Sequence, residues 1–212
     1  MMKQWLENQF AQHYDTQGNR HVVHEEVLVG DAALHDAHAC GSCMPFFSST
    51  CEHETFRIHT AHPVSCLALE EFFNGFRNLP GERCDVMLVD ERKVALVDMY
   101  CGMSDYLEPH AVDGKKTIGK KAKVRQQIES ALTRLCSIPE IASFLAGVPE
   151  KVGIFAYRAK DEELFVNVPR QVSRSMNMFL RLNKAQNERR LSLPMPHGFV
   201  YVMHAFPALY EW

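Results

Sequence analysis

Cys84-Asp85-Val86-Met87-Leu88-Val89-Asp90-Glu91-Arg92-Lys93-Val94-Ala95-Leu96-Val97-Asp98-Met99-Tyr100 decides the reading of this 212-residue chain. Two apolar runs, Cys84 to Val89 and Val94 to Tyr100, flank a polar stretch of four residues. That pattern predicts a β-hairpin, although Glu-Arg is not a preferred turn pair. Each run carries a carboxylate, Asp85 or Asp98, where burial and β-propensity both disfavour one. If Asp90 closes on Lys93, Asp85 stands directly opposite Asp98 on one face, with Cβ atoms about 5 Å apart. Two like charges at that range repel unless a proton or a divalent cation lies between them. A hard ion, Mg2+ or Mn2+, takes one or two carboxylates together with water and phosphate oxygens. The plainer alternative is structural: Asp85 caps its strand and Asp98 pairs with a nearby Lys or Arg. A slip of one residue in register would separate the two acids onto opposite faces.

Outward from the hairpin, the pattern alternates between helical and strand periods. On the N-terminal side, Leu69, Phe72, Phe73 and Phe76 share a helical face, which predicts a helix from Val64 ended by Asn78-Leu79-Pro80-Gly81. Trp5, Leu6, Phe10 and Tyr14 predict an amphipathic helix over 3–14, and His21 to Val29 reads as a strand. Residues 30–63 show no clean period. On the C-terminal side, Val124, Ile128, Ala131, Leu132 and Leu135 form the buried stripe of a helix over 117–136. A short helix over 139–146, a buried strand over 152–157, a helix over 172–189 and a last strand over 199–205 follow. The alternation predicts an α/β fold with a mixed central sheet flanked by helices. It divides the chain into an N-terminal segment, 1–63, packed on a core, 64–212.

The hairpin acids and the helix after them resemble the core of the PD-(D/E)XK nuclease superfamily, the restriction-endonuclease-like fold. In that family one strand supplies an Asp. The next supplies an acid, one spacer and a Lys, and a helix packs behind. Asp85 and Asp98 match the two acids. Lys120-Lys121-Ala122-Lys123-Val124-Arg125-Gln126-Gln127 resembles the Lys/Gln-bearing helix of several branches, and Glu70, or less well Glu71, matches the acid of the leading helix. The resemblance covers roughly residues 64–158. It implies Mg2+ or Mn2+ held by Asp85 and Asp98 with the Met99 carbonyl and Glu70. Asp98-Met99-Tyr100 departs from the pattern, because Tyr stands where the family has Lys. A neutral phenol is a poor substitute for an ammonium that positions water and balances charge. Either the lysine has moved to Lys120, with Gln127 on the same flank orienting water or phosphate, or the site is inactive and the fold is a binding platform.

Charge is unevenly distributed over a net of −3. Residues 115–134 carry seven Lys or Arg against Glu129, and residues 170–190 carry six against Glu188. These two stretches hold +11 and leave −14 elsewhere, a division that suits a polyanion such as nucleic acid, or simply two solvated helix faces. Residues 35–66 hold nine soft-metal ligands: His35, His38, Cys40, Cys43, Cys51, His53, His59, His62 and Cys66. Cys40, Cys43, Cys51 and His53 form a candidate Zn2+ set, although the second pair is C-x-H and too close for a standard finger. Cys84, Cys101 and Cys136 read as core thiols. Seven cysteines without a regular pattern suggest a reducing cytoplasm, and no apolar run approaches the length of a membrane span. Lys3 and Glu7 argue against a secretory signal at the N-terminus.

The leading expectation is thus a metal-dependent phosphodiesterase, nuclease-like and acting on nucleic acid. The alternatives are an inactive nuclease-fold subunit that binds nucleic acid or a protein partner, its own copy included, and a zinc-stabilised interaction protein.

Overall fold

The computed structural model describes residues 1–15, 17–36, 53–77, 79, 81–112, 115–159 and 193–212. The expected helix over 172–189 and most of the candidate zinc set lie outside these residues.

The chain begins with a helical run, Met2–Trp5, a π-helical turn Leu6–Phe10 and Ala11–Tyr14, together termed α1. Strands β1 (Glu25–His35) and β2 (Glu54–Ala68) follow, then α2 (Leu69–Asn74), β3 (Val86–Val89) and β4 (Lys93–Gly102). A small ladder, β5 (Ala111–Val112) with β6 (Lys115–Lys116), precedes α3 (Gly119–Cys136) and α4 (Pro139–Gly147). Strands β7 (Glu150–Ala159), β8 (Leu193–Pro194), β9 (Val200–Ala205) and β10 (Leu209–Glu211) complete it.

Among the described residues, eight strands join one open mixed sheet in the order β1-β2-β3-β4-β7-β9-β8, with β10 parallel to β2. Strands β1 to β4 pair antiparallel, and β4, β7 and β9 run parallel. The parallel pair β4–β7 requires a crossover, supplied by α3 and α4. The α3 stripe of Val124, Ile128, Ala131, Leu132 and Leu135 is buried against Met87, Val94, Leu96 and Phe155 on one face of the sheet, where α1, α2 and α4 also pack. On the other face Phe56 and Ile58 of β2 and Leu34 of β1 pack with Val86, Leu88, Ala95, Val97 and Ile154. The β1–β2 hairpin therefore helps to cover a surface that a flat sheet would leave to solvent. No described helix is long and apolar enough to cross a membrane.

The hairpin register is the expected one: Val86 pairs with Val97, Leu88 with Ala95 and Val89 with Val94, and Asp90 N–H donates to the Lys93 carbonyl at 3.0 Å. The turn closes despite its unfavoured central pair because Asp90 Oδ1 accepts the N–H groups of Arg92 and Lys93 at 2.7 and 2.8 Å. The expected helix from Val64 is a correction. Residues 64–68 are the end of β2, pairing through Ser65–Val89 and Ala68–Val86, and the helix starts only at Leu69. Val64, Ser65 and Cys66 already alternate with period two, and the phenylalanine stripe farther on masked that shorter signal. Strand β2 runs without a break across residues 63 and 64.

Candidate functional site

Where β3 ends, its partner β4 continues, and the site is built at that mismatch. Beyond the pair Val86–Val97, the next step outward sets Asp85 opposite Asp98. Residues alternate faces along a strand, so Asp98 falls with Val94 and Leu96, and Asp85 with Met87 and Val89, all on the α3 side. Both acids are buried, at 9% and 3% exposure. Asp85 Oδ2 accepts the Met99 N–H at 2.6 Å, replacing the strand partner that β3 no longer provides. The Asp85 carbonyl in turn accepts the N–H groups of Leu69 and Glu70 at 2.9 and 3.1 Å, so the same residue anchors the start of α2. That anchor sets the Glu70 carboxyl beside that of Asp85.

These residues line a cleft of about 390 Å3 together with Asp36, Arg83, Tyr100, Lys120, Lys123 and Gln127. Lys120 reaches it from the first turn of α3. Gly119, with φ +74°, lies so close to the Glu108–Pro109 backbone that a Cβ would approach the Glu108 carbonyl carbon to 2.5 Å, so only glycine lets α3 start there. The Lys120 ammonium lies 5.1 Å from the centre of the Tyr100 ring. Gln127 lines the same wall, and its Nε2 donates to the Arg83 carbonyl at 2.9 Å. Sequence reasoning thus placed Glu70, Asp85, Asp98, Met99, Lys120 and Gln127 around one cleft. Glu71, the lesser candidate, lies elsewhere, exposed and beside His24.

Burial raises the pKa of Asp85 well above the ordinary carboxylate range, and the Glu70 charge adds to the shift. Burial likewise raises Asp98, with further contributions from Asp85 and Glu70 that the Lys120 charge opposes. Asp98 Oδ2 is buried and, among the described residues, has no hydrogen-bond partner. An orphaned oxygen among oxygen donors of like charge suits a hard divalent cation. As they stand, no three His, Cys, Asp or Glu side chains among the described residues converge to ligand distance. The carboxylates are spread along the cleft by the backbone groups that hold them.

Asp36 was not singled out from the sequence. It follows β1 in the stretch without a clean period, and no motif marks a lone Asp after a strand. It is 5% exposed and accepts the Cys101 N–H on Oδ2 at 2.7 Å.

The basic stretch over 115–134 is not one open surface. Lys121 pairs with Glu108, Lys123 with Glu82 at 3.9 Å, and Arg125 with Glu129 at 2.9 Å. Arg134 is 5% exposed and packs 5.5 Å from the Phe73 ring centre, so it belongs to the core rather than to a phosphate-facing side. The second stretch, 170–190, lies outside the described residues. So do Cys40, Cys43 and Cys51 of the candidate zinc set. His53 precedes β2. Of the other ligands counted with them, His59 is paired with Asp31 at 2.6 Å and Cys66 is a free thiol buried under the second face of the sheet. Cys84 and Cys101 are buried, as expected, and Cys136 is half-buried.

Two larger hollows, about 510 Å3 beside His21 and Phe76 and about 660 Å3 beside Lys3 and His62, are lined by no buried acid. Compared with protein-family models, with characterised proteins and with solved structures, the chain matches none of them.

Proposed function

We propose that the protein is a divalent-metal-dependent phosphodiesterase of the nuclease type, with a restriction-endonuclease-like core formed by α2, the β3–β4 hairpin, α3 and β7. The observation that carries this reading is the buried, unpartnered Asp98 oxygen beside Asp85 in a cleft that Lys120 also lines. Asp85 and Asp98 are the residues that would hold Mg2+ or Mn2+, aided by Glu70 and the Met99 carbonyl. The Met99 N–H and C=O point to the edge where β3 has ended, which leaves that carbonyl beside the acids. Such an ion lowers the pKa of a bound water and stabilises charge on a phosphoryl group.

The remaining work falls to side chains of this chain. Lys120 stands in for the lysine that Tyr100 displaces: its ammonium balances developing negative charge at the phosphate, and the Tyr100 ring beneath it holds it by a cation–π contact. Gln127, braced on the Arg83 carbonyl, orients water or phosphate from the cleft wall. Lys123 and Arg83, which line the same cleft, receive the nucleic-acid backbone, giving affinity that falls with salt.

The test is cleavage of end-labelled DNA and RNA with Mn2+ or Mg2+, against the Asp98→Asn variant and EDTA. Cleavage lost in both controls supports the reading. A folded protein that binds Mn2+ and nucleic acid yet never cleaves favours the second reading, an inactive nuclease-fold subunit, which the Asp98-Met99-Tyr100 departure motivates. Absence of both metal and nucleic-acid binding removes both readings.

A further inference from the structure

Asp36 comes to the cleft from the N-terminal hairpin, outside the stretch that carries the nuclease resemblance. Met99 and Cys101 are two residues apart on β4, so their N–H groups point to the same edge, the one that β3 leaves without a partner beyond Val86. Asp85 takes the first of these groups at 2.6 Å and Asp36 takes the second at 2.7 Å. Two carboxylates are thereby fixed along one strand edge, roughly 7 Å apart by the rise of two residues. Water or a main-chain carbonyl satisfies an edge N–H without adding charge. Two buried acids in this role bring like charges into one cleft, an arrangement that is costly unless a cation joins it. The independent sign of that cation is Asp98, a residue of the same cleft wall that is 3% exposed and whose buried Oδ2 is without a partner among the described residues.

We propose that Asp36 is a ligand of the divalent cation held by Asp85 and Asp98, the three carboxylates closing from their present spacing, which is wider than ligand distance, so that the β1–β2 hairpin builds the metal centre together with β3–β4. This rests on the cation-site reading above. The Cys101 N–H fixes one carboxylate oxygen and so sets the plane in which the group meets the ion, as the Met99 N–H does for Asp85.

The experiment titrates Mn2+ alone into the full chain, by calorimetry or electron paramagnetic resonance, for the wild type, Asp36→Asn, Asp36→Glu and Asp31→Asn. Asn keeps an oxygen for the Cys101 N–H, so the hairpin retains its anchor, and Asp31, on β1 shortly before Asp36, is an exposed control. Asp36→Asn is expected to weaken Mn2+ binding by about tenfold or more, with an unchanged or higher Tm without metal. Asp36→Glu recovers part of the affinity, and Asp31→Asn alters neither quantity. Wild-type Mn2+ affinity in Asp36→Asn, especially with a lowered Tm, overturns the inference: Asp36 is then an anchor only, and the Asp85–Asp98 site stands without it. Should Asp36→Asn fail to fold, Asp36→Glu decides, because an affinity unmoved by the longer side chain also overturns it. A wild type that binds no Mn2+ at millimolar concentration overturns both the inference and the site.

Discussion

The Lys120 ammonium stands over the ring of Tyr100, 5.1 Å from its centre. In the function proposed above, Lys120 takes the part of a strand lysine, with the aromatic ring as its support. The ring and the ammonium make separable contributions. Lys120→Ala removes the charge and is expected to lower metal-dependent cleavage by about a hundredfold. Tyr100→Phe keeps the ring and loses only the hydroxyl, which donates to the Met103 carbonyl at 3.1 Å, and is expected to stay within a few fold of wild type. Single-turnover cleavage rates in Mn2+ measure both. Equal losses in the two variants would place the chemistry on the phenol instead.

Asp98 is expected to cost the metal-free fold stability. Its buried, unpartnered oxygen faces the charges of Asp85, Glu70 and Asp36, with Lys120 as the opposing cation. Asp98→Asn removes the like-charge repulsion and is expected to raise the metal-free Tm by roughly 3 °C, while the rise in Tm that Mn2+ gives the wild type disappears. Thermal unfolding with EDTA and with Mn2+ reads both effects. A lowered metal-free Tm would mean that Asp98 is a structural partner rather than a stored charge.

The same groups set a pH dependence. Burial, and then the neighbouring acids, raise the pKa of Asp85 and Asp98 in the folded chain well above the unfolded value. The folded state therefore binds more protons than the unfolded one. Its stabilisation is complete below the unfolded carboxylate pKa and is lost as pH rises through the folded pKa. Between about pH 5 and pH 8 the metal-free Tm is expected to fall through this contribution. Mn2+ binding, which needs the deprotonated acids, strengthens over the same range. Differential scanning fluorimetry across that range checks the sign, and Asp98→Asn should flatten the metal-free slope.

The hairpin register and the α3 stripe were legible because each rests on a local period: alternation around a four-residue turn, and apolar residues three and four apart. The placing of Asp85 opposite Asp98 followed from that register, whereas Glu70 and Lys120 were reached through the family resemblance, Lys120 with the helical flank it shares with Gln127. Three features were not legible. The β2 end at Ala68 was hidden by Phe72, Phe73 and Phe76, whose stronger helical spacing extended the predicted helix backwards. Asp36 was hidden because its role depends on Cys101, 65 residues away, and on a strand edge that no single segment encodes. Arg134 reads as one more charge on a basic helix, yet it is buried against Phe73, because the guanidinium's flat face packs on a ring where an ammonium would not.

Asp90 supports the last prediction, since the whole site depends on the turn it closes. Its Oδ1 accepts two N–H groups of the turn, and its Oδ2 accepts the indole N–H of Trp212 at 2.6 Å. Lys93, at the other end of the turn, lies 4.9 Å from the Trp212 ring centre. Asp90→Ala loses three hydrogen bonds and the side chain that holds an unfavoured Glu-Arg pair in the turn, so the expected loss is about 2–3 kcal/mol of unfolding free energy. Asp90→Asn keeps the acceptor for the turn but weakens a charge-assisted bond, so it should cost about 1 kcal/mol. Trp212→Phe removes the indole N–H and keeps an aromatic ring near Lys93, and should likewise cost about 1 kcal/mol. Urea unfolding measures all three. The double variant Asp90→Ala with Trp212→Phe should cost less than the two single losses combined, because both remove the same bond. Additive losses would mean that the Trp212 contact contributes nothing to holding the turn, and that the hairpin register stands on its apolar pairs alone.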